Sequence, residues 1–203
     1  MDTAFLIPAF VTLFVIVDPI GLTPLFAALT QGMPTAHRRA IGLRACLIGF
    51  GILALFTLFG EAVLGFVGIS MPAFRIAGGV LLFLTALDML FERRTKRRED
   101  QAEDRPDPSV FPLAIPLIAG PGAIATVILL AGQQPGLAGL LAVLAVAAAV
   151  LAVVFAFFLT AGLLERALGR VGINVVTRLL GMLLAALSVQ FVLDGLRAFG
   201  LAD

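Results

Sequence analysis

The chain has 203 residues, 61% of them hydrophobic and 13% charged, with a formal net charge of +1 and a mean hydropathy of +1.10. A soluble domain of this length could not hide that much apolar surface, so lipid must solvate part of it. The small net charge gives no electrostatic basis for nucleic-acid binding, and a single cysteine, Cys46, excludes an internal disulfide.

Six apolar runs approach the roughly 20 residues needed to cross a bilayer: 4–29, 40–60, 72–91, 110–132, 137–160 and 176–198. The first is expected to stay in the protein rather than to be cleaved as a signal peptide. No Lys or Arg precedes its apolar core and no A-x-A site follows. The run from Leu137 to Thr160 carries no charge at all. Trp and Tyr are absent, so the usual interfacial aromatic belt is missing and 17 Phe residues supply only bulk.

Two stretches of the chain resemble each other. Glu61–Ser70 aligns with Glu165–Asn174 at six identities in ten positions and an offset of 104. Asp18-Pro19-Ile20-Gly21 faces Gly120-Pro121-Gly122-Ala123 at an offset of 102, and Arg75 and Gly78 face Arg178 and Gly181 at 103. One unit of about 100 residues, used twice, accounts for the order of these matches. The expected organisation is a first three-helix repeat over residues 1–91, a charged linker over 92–108 and a second repeat over 109–203. Three spans are an odd number, so the second repeat enters the membrane inverted. The predicted fold class is an all-α integral membrane protein of six transmembrane helices.

Basic residues set the predicted orientation. Twelve of the fourteen Lys and Arg residues fall after spans one, three and five, against Arg75 and Arg197 on the other side. The positive-inside rule then puts both termini outside the cytoplasm. The linker Glu92–Pro108 mixes six basic with six acidic residues and ends in Pro106-Asp107-Pro108. It reads as a solvated cytoplasmic hinge rather than a patch for anionic lipid.

Six of the eleven prolines lie in spans one and four: Pro8, Pro19, Pro24, Pro112, Pro116 and Pro121. Proline inside a helix removes a backbone donor and clashes with the preceding turn. In hydrocarbon the freed groups need partners in protein, water or ligand. The segments Asp18–Pro24 and Pro116–Ala123 are therefore predicted to unwind near the bilayer midplane. Each break leaves a half-helix N-terminus suited to a carboxylate and a C-terminus whose carbonyls suit a cation or an ammonium group.

The candidate substrate-binding residues are Asp18, Pro19, Gly21, Thr23, Gly120, Pro121, Gly122 and Thr126. Asp18 stands as both a pathway carboxylate and an N-cap for the half-helix after it. Gln190, whose amide needs a partner in the bundle, joins Asp18 as a candidate for the coupling ion. Arg75, Asp88, Arg178 and Asp194, near the ends of spans three and six, are candidate pathway charges able to snorkel. Gly78, Gly79, Gly181 and Ala185 read as small-residue packing faces.

Asp18–Phe26, Gly68–Gly79, Ala114–Ile124 and Val189–Gly195 together resemble the MarC family, and the resemblance runs from the first span to the last. It implies a bacterial or archaeal inner-membrane protein of six spans, grouped with LysE-type exporters. Some members of that family resemble sodium- or proton-linked transporters of small neutral amino acids such as alanine and glycine. The family name derives from a multiple-antibiotic-resistance locus, but the motifs do not imply antibiotic export.

The expected function is secondary transport of a small neutral amino acid by alternating access, with a sodium ion or proton as coupling ion and no other cofactor. Export of a divalent metal or another small solute is the alternative. A metal path would want clustered carboxylate, His or Met ligands, and no metal site is expected. An enzyme is not expected: the one histidine, His37, sits beside Arg38 and Arg39 in a stretch read as a cytoplasmic loop, and no H-E-x-x-H motif occurs. Expected partners are membrane lipid, a small-molecule solute and a second copy in a homo-oligomer.

Overall fold

The computed structural model describes residues 3–91 and 107–201. Those residues form eight helical elements: α1 (Thr3–Val17), α2 (Pro19–Leu29), α3 (Thr35–Val67), α4 (Met71–Leu90), α5 (Ser109–Ile118), α6 (Pro121–Gln133), α7 (Leu137–Leu159) and α8 (Ala161–Ala198). Four helices alone are long and apolar enough to cross a membrane, α1 and α2 together make a fifth span, and α5 with α6 passes as a bent sixth. Leu47, Leu55, Phe59, Leu84, Leu141 and Leu183 are each at least 47% exposed on the outside of the bundle, where only lipid solvates them cheaply.

The two proline-rich spans break differently from the expectation. Span one is interrupted at one residue, Asp18, and is helical from Pro19 through Pro24 to Leu29. Pro19 takes a first-turn position, where its missing N–H costs nothing. The predicted unwinding of Asp18–Pro24 is therefore confined to Asp18. Span four breaks more sharply, with α5 and α6 meeting at 53° across Ala119 and Gly120. Within α5, Phe111 and Ile115 leave the helical region for extended angles, as a residue before proline prefers. The surviving bonds skip wide, Leu113 N–H to the Pro108 carbonyl and Ala119 N–H to the Ala114 carbonyl, the five-residue spacing of a π-turn.

Two further helices exceed their predicted runs. Helix α3 has 33 residues, about 50 Å at 1.5 Å per residue, longer than the roughly 30 Å hydrocarbon core. Its first turn contains His37, which the sequence reading had placed in a loop. Helix α8 starts at Ala161, fifteen residues before the predicted run 176–198, and is kinked at Gly169, where φ is +60°. The matched stretch of the first repeat ends a helix instead: Gly68, with φ +81°, caps α3 through N–H bonds from Gly68 and Ile69 to the Gly65 and Leu64 carbonyls. Similar sequence thus closes a helix in one half and bends one in the other.

Packing relies on glycine. Helices α4 and α8 form the most extensive pair, and α3 packs on α7, α5 and α6, while α1 and α2 pack on α7 and α8. On the α4–α8 seam a Cβ at Gly79 would meet the Ser188 carbonyl at 2.8 Å, and one at Gly195 would meet the Pro72 carbonyl at 3.0 Å. The backbones approach that closely only because the side chains are missing. On α3, Gly49 receives Ile118 and Gly60 receives Ile128, which holds span four against span two.

Candidate functional site

Asp18 is the hinge of span one and is fully buried. Its φ of +56° and ψ of 64° make it the one non-glycine residue at positive φ among the described residues. Asp tolerates that region better than most residues. The turn folds the carboxylate back over the start of α2, where Oδ1 accepts a hydrogen bond from Gly21 N–H at 3.0 Å. Leu22 N–H bonds the Asp18 carbonyl at 3.0 Å. Gly21 has no room for a Cβ, which would overlap the carboxylate. Asp18 is thus the N-cap of α2, anchored where the helix dipole favours negative charge.

The matching break in span four has no such cap. Gly120 is the N-cap of α6 without a side chain to offer, and Pro121 takes the first helical position. The helix begins at a buried Gly122 with backbone N–H groups that receive no bond from a cap side chain. A Cβ on Gly122 would sit 3.4 Å from Ile16 Cγ2 of span one, 3.2 Å from Leu82 Cδ2 and 3.7 Å from Thr85 Oγ1 of α4. Ile16 lies two residues before Asp18, so the two breaks face each other across its side chain. Thr23 and Thr126 are fully buried one turn into α2 and α6. Each hydroxyl donates to its own helix, to the Pro19 and Gly122 carbonyls at 2.8 Å. Asp18, Gly120 and both threonines are buried, whereas Pro121 at the start of α6 is exposed.

The other candidates are placed elsewhere. Pro19 is buried beside Asp18, but Pro121 is exposed on the outer surface. Gln190 is also exposed and donates to Asp194 Oδ1 at 2.8 Å along its own helix, so its amide finds its partner away from Asp18. The Gly21 N–H, predicted to receive a solute carboxylate, is taken by Asp18. Arg75, Asp88, Arg178 and Asp194 belong to the α4–α8 pair, whose antiparallel register follows from Gly79 on Ser188 and Gly195 on Pro72 and Ile76. That register sets Arg75 level with Asp194 and Asp88 within about a turn of Arg178, so each end carries both signs. The predicted linker Glu92–Pro108 lies outside the described residues apart from Asp107 and Pro108. There Asp107 pairs with Arg44 at 2.6 Å. Hydrogen bonds from the Ser109 hydroxyl and N–H, then the Arg44 guanidinium, hold its carboxyl below the usual value of 3.8.

Two features of the interior gave no sequence signal. Ile16 and Leu82, which close the breaks, look like ordinary span residues. A cavity of about 120 Å³ opens where α2, α3 and α7 meet, between Phe26, Phe158 and Arg38. Only the packing brings its walls together.

The description for MarC family integral membrane proteins matches residues 3–199. The chain belongs to the MarC family. Among relatives of this MarC protein, the UPF0056 membrane protein YvbG of Bacillus subtilis is 36% identical over 97% of this chain and 96% of its own. The UPF0056 membrane protein MJ1677 of Methanocaldococcus jannaschii is 35% identical over 97% and 98%. The UPF0056 inner membrane protein YhgN of Escherichia coli is 35% identical over 95% and 96%. These names state membrane residence and no cargo. No solved structure matches the chain. The MarC protein is an integral membrane protein, as its apolar helices and its relatives agree.

Proposed function

We propose that this MarC protein is a secondary transporter of a small neutral amino acid, alanine- or glycine-like, working by alternating access around the two breaks. The observation that carries the reading is the pairing of a fully buried acidic cap at Asp18 with a start of α6 whose N-cap, Gly120, has no side chain to offer. A carboxylate inside a membrane protein is expensive to retain and marks pathways more often than packing. The bare N–H groups of α6 would receive the solute carboxylate. Asp18 would hold the ammonium group or a coupling sodium ion or proton, releasing Gly21 N–H as it turns. Ile16, Leu82 and the glycines leave room only for a small side chain.

The proposed architecture is two inverted repeats, with both termini outside the cytoplasm. The helix pairings support it: exchanging spans one to three for four to six maps α4–α8 and α3–α7 onto themselves. The same exchange turns the packing of span two on span four into that of span one on span five. The twelve-to-two division of basic residues supports the orientation.

The test is counterflow of radiolabelled alanine in proteoliposomes, with manganese and cadmium as competing cargo. Wild-type protein should exchange alanine with dependence on sodium or pH. Asp18→Asn keeps the cap acceptor and the tolerance of positive φ but loses the charge, so it should fold and lose the coupling. Unchanged ion dependence in Asp18→Asn would reduce Asp18 to a cap, and metal movement without alanine movement would overturn the cargo.

A further inference from the structure

The cavity among α2, α3 and α7 lies about 12 Å along α2 from Asp18, eight residues at 1.5 Å each. Its floor is the Phe26–Phe158 stack, with ring centroids 4.2 Å apart and planes at 9°. Gly42 makes room for it, since a Cβ there would touch both rings at 3.3–3.4 Å. Phe155 completes the apolar wall, while Arg38, Arg39 and Thr35 form the rim. The volume of about 120 Å³ is roughly ten times the minimum for one water.

The rim is built and not merely adjacent. Arg38 Nε donates to Thr30 Oγ1 at 3.1 Å, and that fully buried hydroxyl donates to the Phe26 carbonyl at 2.7 Å. The guanidinium carbon stands 5.9 Å over the Phe26 ring centroid. One N–H is spent on Thr30, and among the described residues no acceptor takes the four on the terminal nitrogens. Arg39 is exposed beside it. Thr35 opens α3 behind Pro34, which offers no side-chain cap, so the first-turn N–H groups add partial positive charge at the same place. The opposing α7 C-terminus is muted, because the Ala156 carbonyl already accepts from both the N–H and the hydroxyl of Thr160. Among the described residues no acidic side chain lines the cavity.

We infer that this cavity binds an anionic group carried on a short apolar stem, separately from the midplane breaks. The arginines and the α3 N-terminus hold the head, a carboxylate or phosphate, and the phenylalanines hold the stem. The described walls offer two guanidinium groups and no acid, so the ligand they favour differs from the zwitterion proposed for the breaks. Such a ligand arrives either as an anionic phospholipid from the membrane or as a soluble amphiphilic carboxylate.

The chain lacks tryptophan and tyrosine, so Phe155→Trp installs one fluorophore in the cavity wall. In full-length protein reconstituted with brominated phosphatidylglycerol or brominated phosphatidylcholine, preferential quenching by the anionic lipid identifies the lipid source. In neutral lipid, a saturable emission shift with octanoate identifies the soluble one. Removing one rim charge by Arg39→Gln should weaken whichever response is seen by about fivefold. Arg39 is exposed and holds nothing in place, so the variant should fold. Arg38→Gln should weaken it at least as much, with Cys46 staying unreactive to thiol dyes as the check on folding. No response to either ligand, or a response in both arginine variants as strong as in the parent Phe155→Trp protein, would overturn the inference. Neither outcome depends on whether alanine is transported.

Discussion

Gly21→Ala probes the geometry of the Asp18 hinge directly. A Cβ at position 21 overlaps the carboxylate that caps α2, so the Asp18 side chain must swing out of its hydrogen bond. Loss of the cap costs about 1 kcal/mol, and stranding a buried acceptor costs a further 1–3 kcal/mol or so. Alanine returns roughly 1 kcal/mol of helix propensity, leaving a net destabilisation of about 1–3 kcal/mol. In an Asp18→Gly background the obstacle is gone and glycine accepts the positive φ, so the same Gly21→Ala change should stabilise by up to about 1 kcal/mol. The coupling between the two positions is then about 2–4 kcal/mol, well above the roughly 0.5 kcal/mol scatter of independent sites. Cys46 is the one thiol and is 6% exposed, so its reaction with a fluorogenic maleimide during heating in detergent reports unfolding for all four proteins. Additive effects would refute the reasoning, because they would mean that the carboxylate does not lie over Gly21.

Gly79→Ala should destabilise by about 1–3 kcal/mol, since its Cβ meets the Ser188 carbonyl at 2.8 Å, whereas Gly51, with nothing within 4 Å, should accept alanine with a gain of up to about 1 kcal/mol; the same thiol assay ranks them. Asp107 has a lowered folded-state value, so its contribution is complete above the ordinary Asp value of 3.8 and is lost as pH falls through the lowered one. With Arg44 and Asp107 side chains 56% and 43% exposed, that contribution is under about 1 kcal/mol. Asp107→Asn should flatten a circular-dichroism melting profile as pH falls below about 4, with a loss of under about 1 kcal/mol above it.

The apolar runs mark the five candidate spans and the bent pair that passes as a sixth, because length and hydrophobicity suffice for that. The proline clusters located both breaks, and Asp18-Pro19 also announced the cap, since each of those preferences is local. What remained hidden depends on which way a helix turns its side chains. In a lipid-facing helix both faces are apolar, so the phase that sends Gln190 and Pro121 outward leaves no mark in the pattern. Pro24 was misleading for a related reason: α2 absorbs it without unwinding, because the helix begins only five residues earlier and Thr23 bonds back within the turn. The pairing of Ile16 with Gly122 and the Arg38 cavity join residues over 100 positions apart, and no periodicity encodes that.

Asp18 is the only ionisable side chain among the buried polar residues of the described chain, and its counterpart in the second half is Gly120. On the transport reading proposed here, and with Asp18 holding the coupling ion rather than the ammonium group, one monovalent cation would move per neutral solute and each turnover would carry a single charge. A membrane potential of 100 mV would then supply about 2.3 kcal/mol per turnover, equivalent to roughly a fiftyfold solute gradient, with the coupling ion's own gradient adding to it. A carrier with a carboxylate in both halves would square that ratio. On the same reading, a single buried acid would make the gradient this carrier sustains depend on one ion per cycle.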